Sequence, residues 1–114
     1  MKQRVLVMNG QRLLQSEQNG EWNTVNVQKA GDLKPGIYHL YLAKDADKSH
    51  KYIGYILHTD KDYVYQQYDK NVVRHERAAF EVAPNLGTLK SISYEQDRAI
   101  VVTAVQKRGR GLTR

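Results

Sequence analysis

The stretch at residues 33–80, which reads LKPGIYHLYLAKDADKSHKYIGYILHTDKDYVYQQYDKNVVRHERAAF, decides the fold. It holds seven of the eight tyrosines, in runs rich in aromatic and β-branched residues that short polar turns separate. Such runs are typical of half-buried strands rather than helices. The four runs are residues 36–43, 51–58, 63–68 and 71–75. They predict a meander of four antiparallel strands joined by three hairpins.

Side-chain alternation within the meander predicts its faces. On the first strand, Leu40 and Leu42 share the face that we expect to point inward. On the third strand, Tyr63 and Tyr65 share one face, so we expect tyrosine rings at the surface. Gly54 in the middle of the second strand predicts a bulge or a sharp bend, which allows a small sheet to curl.

Hairpins are also predicted on both sides of the meander. Asn9-Gly10 is a tight-turn signal between two apolar runs, and the turn at residues 95–98 separates two further strand-like runs. Residues 76–83 contain good helix formers and stop at Pro84, which predicts one or two helical turns. The expected fold is therefore mainly β: a small antiparallel SH3-like barrel or a strongly curled sheet, with one short helix and flanking hairpins.

Length and composition predict one cytoplasmic domain at residues 1–106 and a disordered tail at residues 107–114. Cysteine is absent from the 114 residues, which excludes disulfides and cysteine-based zinc sites and fits a reducing compartment. The first ten residues lack the apolar run of an export signal, and no segment has the length of a membrane span. We therefore expect no membrane partner.

The net charge of +6 is concentrated at the end of the chain. The last eight residues contain four cations and no acid, whereas the other 106 residues carry 14 basic and 12 acidic side chains. The four cations are Lys107, Arg108, Arg110 and Arg114. An arginine- and glycine-containing end of this kind contacts phosphates without reading sequence, or it simply keeps the chain soluble.

Four short motifs in the meander carry a family resemblance. They are Pro35-Gly36-Ile37-Tyr38, Tyr52-Ile53-Gly54-Tyr55-Ile56, Val64-Tyr65-Gln66-Gln67 and Val72-Val73-Arg74-His75. In this order they resemble the KfrB domain, a small module of broad-host-range and conjugative plasmids that also occurs beside relaxase-type and antirestriction segments. The resemblance covers about 45 residues, with a charged insertion at residues 44–51. It implies a plasmid-borne accessory protein of maintenance or transfer and supplies no catalytic motif.

The residues do not predict an enzyme, a metal site or a cofactor. The four histidines occur without HxH or HxxxH spacing, and we expect His50 and His58 near turns in solvent and His75 as a hydrogen-bonding residue at a strand end. No serine lies in a glycine-flanked elbow, and the acids are dispersed over turns, without a general acid and base pair.

Tyrosines beside basic residues are the candidate binding site. Rings on small β folds stack the bases of single-stranded nucleic acid, with Arg74 and Lys51 supplying charge next to Tyr63 and Tyr65. The tail cations Lys107, Arg108, Arg110 and Arg114 complete the candidate set. The alternative for each tyrosine is a ring packed at the rim of the core with its hydroxyl in water.

Three functions remain open from the sequence. The first is a non-enzymatic plasmid maintenance or conjugation module that associates with DNA or with a plasmid-encoded DNA-processing protein. The second is a protein-interaction adaptor that uses the tyrosine face or an unpaired edge strand, which would also permit a homodimer. The third is an inhibitor of a host defence system, which only the plasmid resemblance suggests.

Overall fold

The computed structural model describes residues 2–104, which form ten strands in two sheets and two single 3₁₀ turns. The strands are β1 (Gln3–Met8), β2 (Gln11–Gln18), β3 (Glu21–Lys29), β4 (Gly36–Tyr38), β5 (Lys44–Asp45), β6 (Tyr52–Thr59), β7 (Tyr63–Tyr68), β8 (Asn71–Glu76), β9 (Leu89–Glu95) and β10 (Arg98–Thr103). The prediction of a mainly β fold is confirmed. The predicted tail at residues 107–114 lies outside the described residues.

The four-stranded sheet has the order β3-β2-β1-β4, and all of its pairs are antiparallel. Two tight turns build it. Asn9 and Gly10 both have positive φ, as do Asn19 and Gly20, which is the geometry of a type I′ hairpin turn. The predicted hairpin at Asn9-Gly10 is therefore confirmed, and a second hairpin joins β2 to β3.

The six-stranded sheet has the order β10-β9-β6-β7-β8-β5. The hairpins β6–β7, β7–β8 and β9–β10 are present as predicted. The edge strands β5 and β10 do not pair with each other, so the sheet is not closed and the barrel alternative is wrong for the described residues. The sheet is nevertheless curled, as two contacts of Lys48 show. This residue, which follows β5, lies 3.4 Å from Glu76 at the end of β8 and 3.3 Å from Asp97 at the β9–β10 turn.

The first predicted strand, at residues 36–43, is only partly a strand. It ends at Tyr38, pairs with β1 in the other sheet, and is followed by the 3₁₀ turn Leu40–Leu42. A 3₁₀ turn rotates successive side chains by about 120°, so alternation is lost. Leu40 is buried as predicted, but Leu42 is 62% exposed, which corrects the predicted inward face.

The connection into the second strand is not a hairpin. Residues 44–50, predicted as a plain turn, begin with β5, which pairs in parallel with β8 through Lys44–Val73 and Asp45–Arg74. The meander therefore contains two successive hairpins rather than three. The predicted helix at residues 76–83 is a single 3₁₀ turn, Arg77–Ala79, after which Phe80 enters the core.

Two hydrophobic clusters hold the molecule together, one on each face of the six-stranded sheet. The first lies between the sheets and combines Val5 and Val7 of β1 with Leu57 and Tyr65 of the other sheet. The second lies on the opposite face and contains Ile56, Val64, Phe80 and Ile92. Burial of these side chains, at roughly 25 cal/mol per Å² of apolar surface, drives the packing.

Gly54 lies where two backbones come too close for any side chain. A Cβ atom at this position would be 1.6 Å from the carbonyl oxygen of Gln67. The predicted irregularity of this strand is two residues further on, where the β6–β7 register shifts between Ile56 and His58. β6 pairs with β9 along its first half and with β7 along its second half, so the strand changes partners here.

Candidate functional site

A polar chain runs through the interior of the six-stranded sheet at the point where β6 changes partners. The side-chain amide nitrogen of Gln66 donates to the carbonyl oxygens of Tyr52 (3.1 Å), Gly54 (3.2 Å) and Lys90 (3.0 Å). Its oxygen Oε1 lies 2.9 Å from His75 Nε2. The two N–H bonds of the Gln66 amide are thus shared among three backbone carbonyls, and every polar atom of this buried side chain has a partner.

These contacts determine the tautomer and the protonation state of His75. Since Gln66 Oε1 is an acceptor, His75 Nε2 carries the proton and Nδ1 accepts from the hydroxyl of Tyr94. Burial lowers the pKa of His75 from 6.5 to about 4, and burial raises the pKa of Tyr94 to about 12. The sequence-based prediction of a hydrogen-bonding His75 at a strand end is confirmed, and its environment keeps it neutral.

A second buried network ties the two sheets together. Arg12 of β2 is 2% exposed and donates from Nε to the Leu57 carbonyl (2.8 Å), from one terminal nitrogen to Gln28 Oε1 (3.3 Å), and from the other to His58 Nδ1 (2.7 Å). His58 was expected in solvent. The structure places it half-buried, and burial together with the charge of Arg12 lowers its pKa to about 4.

The predicted pair Tyr63 and Arg74 is brought together by the β7–β8 hairpin. The guanidinium of Arg74 lies 4.3 Å from the centre of the Tyr63 ring. Arg74 Nε also donates to Asp45 Oδ1 at 2.6 Å, and this bond raises the pKa of Arg74. The cation is therefore already balanced by a carboxylate.

The other residues of the predicted set are placed differently. Tyr65 is 8% exposed and packs in the cluster between the sheets, so it does not offer a ring face to a base, contrary to the expected tyrosine surface. Burial raises its pKa. Lys51 is exposed just before β6. The tail residues Lys107, Arg108, Arg110 and Arg114 lie outside the described residues.

A cavity of about 290 Å³ adjoins Tyr63 and Arg74. Lys48 also lines it, and this lysine forms ion pairs with Glu76 and Asp97, which raise its pKa. Because both cations at the cavity have carboxylate partners, the cavity provides no excess positive charge for an anion.

A second group of rings and cations, which was not predicted from the sequence, lies at one end of the four-stranded sheet. Arg4 is 4.1 Å from the centre of the Trp22 ring, and Lys2 is 5.2 Å from the centre of the Tyr41 ring. The rings of Trp22 and Tyr41 are 6.1 Å apart. We call these four residues the basic aromatic cluster.

The cations of the basic aromatic cluster have no acidic partner among residues 2–104. The ion pairs of this part of the chain involve Lys48, His50 and Arg74, and no carboxylate lies within 4.0 Å of Lys2 or Arg4. Glu17 is opposite Trp22 in the β2–β3 ladder but forms no ion pair. The cluster therefore combines partly exposed rings with two cations that form no ion pair, although Glu17 lies opposite Lys2 on the neighbouring strand.

The signal that could have found this cluster is the alternation of β1. Val5 and Val7 are buried, so Arg4 must lie on the outer face, and the hairpins place Trp22 on the same face. Trp22 and the N-terminal cations lie outside the tyrosine-rich stretch at residues 33–80, so that stretch gives no sign of them.

Within the described part of the chain, no three metal-ligating side chains converge, and no helix is long and apolar enough to cross a bilayer.

The fold and its surface define a small β-rich module with a polar, hydrogen-bonded interior and an exposed basic aromatic cluster. Residues 51–103, which comprise strands β6 to β10, match the model of the KfrB domain, and the chain belongs to the KfrB-domain family. It is also similar to Protein TraB of Escherichia coli, with 37% identity over 107 residues that cover 91% of this chain and 73% of the relative.

The family match confirms the predicted resemblance but has other boundaries. It begins after the motif at Pro35 and extends through the β9–β10 hairpin, which the predicted meander at residues 33–80 left out. Gly54, Gln66 and His75, which lie in three of the recognised motifs, meet in the interior of the matched sheet. The basic aromatic cluster lies outside the matched residues.

Proposed function

We propose that this protein is a non-enzymatic, cytoplasmic accessory module of plasmid maintenance or conjugation that associates with DNA. Membership of the KfrB-domain family and the similarity to Protein TraB support the plasmid-related part of this proposal. The observation that carries the DNA-binding part is the basic aromatic cluster, where Lys2 and Arg4 lie over Tyr41 and Trp22 without a carboxylate partner among the described residues.

Electrostatics support an anionic partner over a neutral one. Positive charge that is not balanced within the protein attracts phosphates and releases their counterions on binding. Rings next to such charge add stacking of about 1–3 kcal/mol per base. The tail at residues 107–114 contributes four more cations to the same molecule.

Fluorescence anisotropy with labelled single-stranded and double-stranded DNA tests this function. The full chain is compared with a chain ending at Gln106, which keeps every described residue, at about 50 and 200 mM salt. We expect both chains to bind at low salt, with a weaker affinity and a shallower salt dependence for the shortened chain. Absence of binding by both chains at low salt would refute the DNA-binding function.

A protein-interaction adaptor is the second candidate, and one observation favours it. β10 is an edge strand whose side chains Ile100, Val101 and Val102 are 36–57% exposed. Exposed apolar edges are surfaces on which another chain can add a strand. A pull-down from cells that carry the cognate plasmid separates the two candidates, because a protein that is captured after nuclease treatment is not bridged by DNA.

A further inference from the structure

The outer face of the four-stranded sheet carries one apolar row across all four strands. Leu6 of β1 pairs with Leu13 of β2 and with Ile37 of β4, and Leu13 pairs with Val27 of β3. Residues directly opposite each other in a ladder share a face. Since Val5 and Val7 point into the core, this row points away from it, and Ile37 and Val27 are 49% and 53% exposed.

The next row on the same face is polar and leads to the basic aromatic cluster. Arg4 Nε donates to Gln15 Oε1 at 2.8 Å, and Gln15 Nε2 donates to Thr24 Oγ1 at 3.1 Å. These bonds hold the Arg4 guanidinium next to Trp22. The face therefore offers an apolar strip, a fixed cation and two rings in sequence.

We infer that this face binds single-stranded nucleic acid in preference to duplex, an inference that rests on the proposed function. Unpaired bases can lie on the apolar row and on the rings of Trp22 and Tyr41, while their phosphates reach Arg4 and Lys2. In a duplex the faces of the bases are stacked against one another, so they cannot stack on the rings or on the apolar row. A partner protein could use the apolar row but would need carboxylates placed opposite Arg4 and Lys2, whereas every nucleotide carries a phosphate.

Trp22 makes the inference directly testable because it is the single tryptophan of the chain. The full chain is titrated with an oligo(dT) single strand and with a duplex hairpin of equal phosphate number, and anisotropy and tryptophan fluorescence are recorded together. We expect oligo(dT) to quench Trp22 with the same midpoint as the anisotropy change. We expect the duplex to bind at least about tenfold more weakly and to quench little.

Matched substitutions locate the contact. Ile37→Ser and Val27→Ser should each weaken oligo(dT) binding several-fold, whereas Ile53→Ser on β6, which removes a side chain of similar exposure (52%), should not. Tyr41→Ala should weaken binding about tenfold, and Tyr68→Ala should leave it unchanged. Tyr41 and Tyr68 are 40% and 38% exposed, so the two substitutions disturb folding comparably.

The outcomes separate this inference from the proposed function. If DNA binds but Trp22 fluorescence does not change, or if the Ile37 and Ile53 variants behave alike, the inference is overturned and DNA binding stands with another site. Equal affinity for single strand and duplex also overturns it. If neither nucleic acid binds at low salt, the proposed function itself fails. A loss of self-association in the Ile37 and Val27 variants with unchanged oligo(dT) affinity assigns the row to protein contact and overturns the inference.

Discussion

The two sheets each hold two cations over aromatic rings, but only one sheet balances them. In the six-stranded sheet, Arg74 over Tyr63 is bound to Asp45, and Lys48, 6.0 Å from the Tyr94 ring, is paired with Glu76 and Asp97. Within the described residues, the corresponding cations of the four-stranded sheet form no ion pair with a carboxylate. A ring beside a cation is thus a weak indicator of a binding site, and unbalanced charge is the stronger one.

The interior of the six-stranded sheet and the outer face of the four-stranded sheet also differ in what their polar side chains do. The six-stranded sheet contains the close backbone approach at Gly54 and the buried hydrogen-bonded chain from Gln66 to Tyr94. Its buried polar side chains bind one another and stabilise the fold. The outer face of the four-stranded sheet leaves apolar and charged side chains exposed. Substitutions in the first region should therefore reduce stability, and substitutions in the second should reduce binding.

The largest expected effect is that of Gly54→Ala. The added Cβ would lie 1.6 Å from the Gln67 carbonyl oxygen, so β6 and β7 must separate, and we expect a loss of about 4 kcal/mol in the free energy of unfolding, or no folding. Gly10→Ala, where nothing lies within 4 Å of the added carbon but φ is +74°, should cost only about 1 kcal/mol. Urea unfolding measures both, and similar losses would remove the contrast between the sheets.

Acid should destabilise the protein through its buried histidines. The pKa of His75 is about 4 in the folded state and near 6.5 in the unfolded state, so the unfolded state binds more protons between these values. The free energy of unfolding should fall by about 2–3 kcal/mol as the pH falls from 6.5 to 4, with no change above pH 7. His58 adds a smaller loss in the same direction because it is only half-buried.

Urea unfolding at a series of pH values, with NMR titration of the histidine rings, measures this effect. A stability that is constant between pH 7 and 4.5 would contradict the buried, neutral state of His75.

A smaller effect distinguishes a buried hydroxyl from a peripheral one. Tyr94→Phe removes the donor to His75 Nδ1 and leaves a buried acceptor unpaired, so it should cost about 1–3 kcal/mol. Tyr38→Phe removes the hydroxyl that donates to the Lys34 carbonyl at the surface, which water can replace, and it should cost less than about 1 kcal/mol. Thermal unfolding measures the two losses, and a Tyr94→Phe variant as stable as Tyr38→Phe would argue against the buried chain.

Local patterns predicted the strands and turns of this fold well. Alternation and the Asn-Gly turn are properties of a few neighbouring residues, so the hairpins at Asn9-Gly10, β6–β7, β7–β8 and β9–β10 followed from the sequence. The family was also predictable from short motifs. Gly54, Gln66 and His75 belong to three of these motifs, and they lie together in the interior of the six-stranded sheet.

Tertiary partners were not predictable in the same way. Nothing in the run at residues 36–43 indicates that its first part pairs with β1. Nothing in the residues that follow it indicates that β5 pairs in parallel with β8. Likewise, Arg74 looked free in the sequence because its partner Asp45 lies 29 residues away. Trp22 and Arg4, 18 residues apart, meet only because two hairpins bring β1 and β3 into one sheet.

The most direct test of the central claim is the affinity for oligo(dT) of Arg4→Gln against that of Arg74→Gln, measured by anisotropy at low salt. Each substitution removes one cation from an aromatic ring and changes the net charge equally. The unbalanced Arg4 should matter, so Arg4→Gln should weaken binding about tenfold and lower the salt slope by about 0.7, whereas Arg74→Gln should change either value little. Equal losses in the two variants, or a larger loss for Arg74→Gln, would contradict the account.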